Sequence, residues 1–302
     1  MRYVSILFLS VVVALAFCGP VAAHLFGPNG EGNPWYMPAI PDQAVPRIDG
    51  NLDDWSWFPS RWVFTTEEFI PWGSFDAEEQ KVPKDDWDGI LYGPAWVPSA
   101  NMIMWAVKVT DDIPYAPYTH EGPDGLEWSW KMDGGQFVTD ADHGGDVRGT
   151  STEFQQNYYT IANGGDIGIF NDEDMMEWAY EPPHAFFGFS PVQGNGSYEA
   201  EIAYTLWDHL DPAGEGASRK HTLEVGEIIG FSISVYDRDS EEEQGPAVSF
   251  HFGNSSQGGQ NIPDWQLLPV EETLIALQEE GKSLPSAVEA STWGRIKSTF
   301  TK

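Results

Sequence analysis

Ile228-Ile229-Gly230-Phe231-Ser232-Ile233-Ser234-Val235-Tyr236-Asp237-Arg238-Asp239-Ser240-Glu241-Glu242-Glu243 is the stretch that decides the fold. It begins as an apolar, β-branched run with near-alternating faces, the pattern of a half-buried strand. Within a few residues it becomes a cluster of carboxylates. A carboxylate is costly to bury without a partner, so such a cluster sits at a solvated sheet end or around a cation. Met102-Ile103-Met104-Trp105-Ala106-Val107-Lys108-Val109-Thr110-Asp111-Asp112 repeats the arrangement. Two strands that run out into aspartates describe a β-scaffold with acidic loop ends. If the two strands are neighbours, their carboxylates converge on one edge.

Outward from these stretches, strands are expected at residues 62–64, 102–109, 125–132, 158–162, 167–170, 198–203, 228–236 and 248–252, separated by Gly-, Asp- and Pro-rich turns. With almost no helical period, this spacing predicts an all-β fold, an antiparallel jelly-roll β-sandwich with a short C-terminal helical tail. Residues 204–210 read as one short helical turn. The clearest helix follows Pro269, from Val270 to Glu280, and stops at Gly281. A second amphipathic piece, residues 291–300, places Trp293, Ile296 and Phe300 near one face. Arg295, Lys297 and Lys302 make this end of an acidic chain basic. That tail either docks on its own acidic domain or attaches the protein to a surface or partner.

Residues 1–23 read as a secretory signal: Arg2 is followed by an apolar run too short to span a bilayer, and Val21-Ala22-Ala23 offers small residues at the cleavage position. The mature chain is then expected at His24, outside the cytoplasm, in the periplasm or on the cell surface. Cys18, the only cysteine, would be a lipidation site in a lipoprotein, but Phe17 is too bulky for the residue before it. A chain without disulfides is held by its core, or by core and metal. Residues 24–46 form an extended leader rich in Pro, Gly and Asn, the sandwich is placed at 47–270 and the helical, basic tail at 271–302. No second apolar run is long enough for a transmembrane span. The formal charge of −32 repels nucleic acid and anionic membranes. Fourteen tryptophans are too many for surface decoration and call for an aromatic core.

Five segments, in their order, resemble the family 9 carbohydrate-binding modules and the related DOMON-like β-sandwiches. They are Ile48-Asp49-Gly50-Asn51-Leu52-Asp53-Asp54-Trp55; Trp105-Ala106-Val107-Lys108-Val109-Thr110-Asp111-Asp112; Asp124-Gly125-Leu126-Glu127-Trp128; Gly196-Ser197-Tyr198-Glu199-Ala200-Glu201-Ile202-Ala203-Tyr204; and residues 225–237. The resemblance implies a two-sheet jelly roll with bound calcium and, in the carbohydrate-binding branch, a tryptophan-clamped sugar site. Glu127 carries over to that site. The clamp tryptophan of the family is replaced by Glu121, and Tyr158-Tyr159-Thr160-Ile161 lacks the family's arginine.

Calcium takes six to eight oxygen ligands and accepts irregular loops. The ligands expected here are Asp111, Asp112, Asp237 and Asp239, with Asp124 from the next strand. Asp133-Gly134-Gly135 and the Asp/Gly-rich residues 140–146 lack the spacing of an EF-hand and read as turns. Trp128 and Trp130 share one strand face, with Glu127 on the other. Trp72, Trp87, Trp96 and Trp178 fall in loop-like stretches. Sugar binding needs aromatic faces beside planar hydrogen-bonding groups, so Glu127, Trp128, Trp130 and Trp178 are the expected ligand-binding residues. The expected ligand is a polysaccharide or cell-surface glycan. No nucleophile elbow or ordered triad supports catalysis. Two alternatives stand beside sugar binding. One is a cell-surface or structural sandwich. The other is an electron-transfer subunit with non-covalent haem, for which Met102, Met104, Met132, Met175, Met176, His143 and His184 offer axial ligands.

Overall fold

The computed structural model describes residues 34–68, 70–71, 87–115, 133–141, 154–160, 166–169, 177–237, 239–240, 248–249 and 263–285. In chain order they form β1 (Trp35–Met37), β2 (Val63–Thr65), β3 (Ile70–Pro71), β4 (Trp87–Val97), β5 (Met102–Asp111), β6 (Gly134–Asp140), β7 (Phe154–Thr160), β8 (Asp166–Ile169), β9 (Ala185–Phe189), β10 (Tyr198–Tyr204), β11 (Trp207–His209), β12 (Arg219–Lys220), β13 (Ile228–Tyr236), β14 (Val248–Ser249), β15 (Asp264–Leu267) and the helix α1 (Val270–Glu279). A six-stranded sheet, β1-β15-β13-β6-β7-β8, faces a five-stranded sheet, β2-β4-β5-β10-β9. Pairing is antiparallel throughout both sheets except between β1 and β15. This is the expected β-sandwich. No helix of the described residues is long and apolar enough to cross a membrane.

Strand β5 shows why two sheets suffice to organise the molecule. Ile103, Trp105, Val107 and Val109 point into the sandwich and join β10's Tyr198, Ala200 and Ile202 and β13's Ile229, Phe231 and Ile233 in the interior core. Trp105 crosses the interface to meet Phe137 of β6 edge-on at 5.4 Å. The alternate residues Met104 and Ala106 belong to a second core on the outer face of the five-stranded sheet. That face is covered by Ile40, Leu52, Trp55, Trp57, Phe58 and Trp62 from the amino-terminal segment and by Ala276 and Leu277 of α1. Near its far end β5 exposes Lys108 and Thr110, where the cover stops. The strand is thus buried on both faces over most of its length, which explains its nearly continuous apolar sequence.

The leader stitches the two sheets. β1 is an edge strand of the six-stranded sheet, and two residues later Ala39 bridges in parallel to Trp96 of the other. Ile40 N–H donates to Trp96 O at 2.8 Å, and Trp96 N–H to Pro38 O at 3.0 Å. The segment that follows bends at residues 48–50 and forms a 3-10 turn at Leu52–Trp55. Its backbone donors fall on two carboxylates of β10. Glu201 is wholly buried and accepts from Asp49 N–H (2.9 Å), Gly50 N–H (2.7 Å) and Trp55 Nε1–H (2.8 Å). Glu199 accepts from Leu52 N–H at 3.0 Å and pairs with Lys108 at 2.8 Å. Gly50 has φ +81°, and a Cβ there would lie 2.3 Å from the Phe189 backbone carbon, so the close approach of this turn to β9 requires glycine.

Several sequence expectations change. Residues 204–210 hold strand β11 rather than a helical turn; Trp207 pairs across to Lys220. The Asp133-Gly134-Gly135 turn is the start of β6, which lies between β13 and β7. β4 escaped notice because Gly89, Gly93 and Pro94 break its pattern; its register shifts between Tyr92 and Ala95. Trp87 and Trp96 are therefore buried core residues and not loop tryptophans. The expected strand at 125–132 and helix at 291–300 lie outside the described residues.

Burial pushes the Glu201 carboxyl from its ordinary 4.5 up to about 8. Between those values the unfolded chain has released this proton and the folded chain has not, so Glu201 lowers stability progressively as pH rises from 4.5 towards 8. Urea unfolding across that range at constant salt is expected to show this decline. In Glu201→Gln the decline flattens; an unchanged slope in the variant contradicts the assignment.

Candidate metal centre at one end of the sandwich

Three aspartates converge where the interior core meets one end of the sandwich. In β5 the inward series Ile103, Trp105, Val107, Val109 ends at Asp111. In β13 the series Ile229, Phe231, Ile233 continues with the same parity to Asp237. β6 brings Asp133 ahead of inward-facing Phe137. The β13–β6 register pairs Tyr236 with Gly134, so one step further Asp237 lies opposite Asp133. β5 and β13 are not neighbours within one sheet. They are central strands of opposed sheets, and their ends meet across the sandwich.

Asp111, Asp133 and Asp237 are 1%, 0% and 4% exposed, and each offers a carboxylate oxygen within 4.8 Å of the others. Asp111 also groups with Asp112 and Asp239 on the solvent side at the same separation. Local hydrogen bonds fix two of the carboxylates. Asp111 Oδ1 accepts from Ile113 N–H at 2.8 Å. Asp133 Oδ2 accepts from Tyr115 N–H at 2.6 Å, while Asp133 N–H donates to Tyr115 O at 2.9 Å. The loop after β5 is thereby clamped to the start of β6. Two unit charges about 4 Å apart repel by roughly 4 kcal/mol even at an effective dielectric of about 20. Buried carboxylates at this spacing are held only where positive charge, hydrogen-bond donors or protons balance them. The donor set is all oxygen, two of its members come from loop ends, and it opens towards further carboxylates. Such a set suits a hard divalent ion of flexible coordination, calcium above magnesium.

Four of the five sequence-expected metal residues, Asp111, Asp112, Asp237 and Asp239, are thus brought together. Asp124 lies outside the described residues. Asp133 was missed because its Gly-Gly sequel reads as a turn; the signal that could have found it is its parity with Phe137.

Of the expected ligand-binding residues, Glu127, Trp128 and Trp130 also lie outside the described residues. Trp178 sits in a 3-10 turn, partly buried against the interior core. It meets Trp207 edge-on at 5.0 Å and His184 at 5.5 Å. Burial lowers the His184 imidazole below its ordinary value. Lys220 lies 5.4 Å over the Trp207 ring and pairs with Glu215 at 2.9 Å. A separate ionic cluster lies beside β11 and β12: His221 faces Asp208 at 2.6 Å through Nδ1 and Glu227 at 2.8 Å through Nε2. These two carboxylates approach opposite ring nitrogens, so they do not converge on one ion. Met104 is locked in the outer core.

The chain is similar to a family 9 carbohydrate-binding module from Caldicellulosiruptor kristjanssonii in complex with cellotriose, with a TM-score of 0.48 and 13% identity over 78% of this chain and 93% of that one. In a second structure, a module of the same family and organism in complex with glucose, the TM-score is 0.46 and the identity 14%, over 77% and 94% of the two chains. No family model matches the sequence, and no curated protein matches it.

Gly196, in the turn before β10, has φ +79°, and a Cβ there would fall 1.7 Å from the Asp111 carbonyl oxygen. Gly196→Ala is expected to push Asp111 out of the cluster and cost about 2–4 kcal/mol in urea unfolding. A cost below about 0.5 kcal/mol, the range of ordinary surface changes, contradicts this packing.

Proposed function

We propose that this protein is a secreted, non-catalytic carbohydrate-binding module whose sandwich is tied at one end by calcium. The observation that carries the reading is the burial of Asp111, Asp133 and Asp237 together, drawn from both sheets. A divalent ion there turns a repulsive cluster into a cross-link between the sheets. In a chain with one cysteine, itself within the signal-like leader, that cross-link does what a disulfide does elsewhere. The carbohydrate part rests on the ordered segments that resemble family 9 modules. Two of them, the Asp-Gly-Asn opener and the Glu-Ala-Glu strand, meet as turn and carboxylate clamp. A neutral polysaccharide or its chain ends is the ligand class, because a chain at −32 repels acidic polymers. Glu127, Trp128 and Trp130 supply its hydrogen bonding and stacking.

Calcium that binds only the native state stabilises by mass action. Millimolar calcium is expected to raise the melting temperature by about 5 °C or more over excess chelator, from roughly 2–4 °C per kcal/mol for a chain of this size. Asp133→Asn is expected to abolish the rise, and magnesium to reproduce it only in part. Equal melting temperatures in calcium and chelator exclude the metal.

For the sugar, a glycan array followed by isothermal titration is expected to find a neutral oligosaccharide whose binding is lost in Glu127→Ala and Trp128→Ala. Binding indifferent to both substitutions rejects this site.

A further inference from the structure

Helix α1 presents an apolar stripe to solvent that its position does not explain. Thr273, Ala276 and Leu277 face the outer core, whereas Leu274 and Ile275 are 41% and 45% exposed. At about 100° per residue, Leu274 and Ile275 bracket Glu271 and Gln278 on the outward face. Glu271 and the adjacent Glu272 have no ion-pair partner among the described residues, while Glu279 pairs with Arg61 and Glu280 with Lys282. The face is therefore two aliphatic side chains around Glu271, with Glu272 to one side, and neither carboxylate has an ion-pair partner among the described residues.

We propose that this face is the docking surface for the chain's own carboxy-terminal segment, residues 291–300. Two of the chain's 15 basic residues, Arg295 and Lys297, lie in this segment and Lys302 follows it, so this end of the chain carries the charge that the helix lacks. Trp293, Ile296 and Phe300 recur at the spacing that matches an apolar stripe. The connection also reaches. α1 ends in a reversal at Gly281 (φ +66°), with Lys282 N–H donating to Leu277 O at 2.9 Å. Leu284 then packs on the outer core beside the helix. From Pro285 to Trp293, eight residues span up to about 26 Å, against a helix of about 15 Å. The short linker holds the segment at high local concentration beside this face, which favours it over a second copy or a foreign peptide.

The test uses the full chain with Cys18→Ser, which leaves no cysteine. Ile275→Cys is combined with Ile296→Cys, and separately Leu274→Cys with Phe300→Cys. Both helix positions are exposed, so the fold is retained. Under mild oxidation of dilute protein, at least one pair is expected to form an intrachain disulfide about 10-fold faster than a control joining Val225→Cys to Ile296→Cys. Raising salt to about 1 M is expected to slow it several-fold. Equal rates for helix and control pairs overturn the proposal. So does a predominantly interchain product, which would assign the face to a second copy. Independently of the cysteines, hydrogen exchange of α1 amides is expected to be at least about 3-fold slower in the full chain than in one ending at Pro285. Identical exchange also overturns the proposal.

Discussion

Three carboxylates cannot share a dry space unless their charge is balanced, and much of this structure is arranged around that condition. Asp111, Asp133 and Asp237 close the interior core at one end. They come from the central strands of both sheets, so whatever balances them also fixes the distance between the sheets there. The backbone hydrogen bonds from Ile113 and Tyr115 hold two of the side chains in place. A cation entering so preorganised a set would not have to order the loops.

The outer core solves a second problem. A two-sheet sandwich ordinarily leaves the outer faces of its sheets to water. Here β5 is apolar on both faces, and the outer one is covered by the amino-terminal segment and α1. Holding that cover requires satisfying its turn's backbone donors against a sheet, and Glu199 and Glu201 do so. Glu201 is a poor choice for stability alone, since burial drives its carboxyl up to about 8. Its three donors offset that cost and fix one arrangement of the turn.

The sandwich was legible wherever strands alternated cleanly. Residues 228–236 and 198–203 gave β13 and β10 with nearly their observed bounds. It was illegible where glycine or proline interrupts a buried strand, as in β4 and at the start of β6, because such residues mark turns far more often than strand interiors. For the same reason Asp133 escaped the metal set while Asp111 and Asp237, at the ends of unbroken runs, did not. Parity would have recovered it: a carboxylate four residues before an inward phenylalanine must itself point inward. That β5 and β13 face one another across two sheets is a matter of topology, and short apolar runs do not encode it. Trp87 and Trp96 show the complementary error, in which broken flanks made core residues look like loop residues.

The leader's path has a mechanical consequence. β1, the Ala39 bridge and the turn held by Glu201 follow one another along the chain and lie in series between the amino terminus and the body of the protein. Tension entering from upstream of Trp35 reaches a three-pair parallel ladder first, then the bridge across to the other sheet, and only then the buried carboxylate. Each fastening must open before the next carries full load. A chain anchored through its amino terminus would therefore yield in steps, with the acidic end shielded until the last.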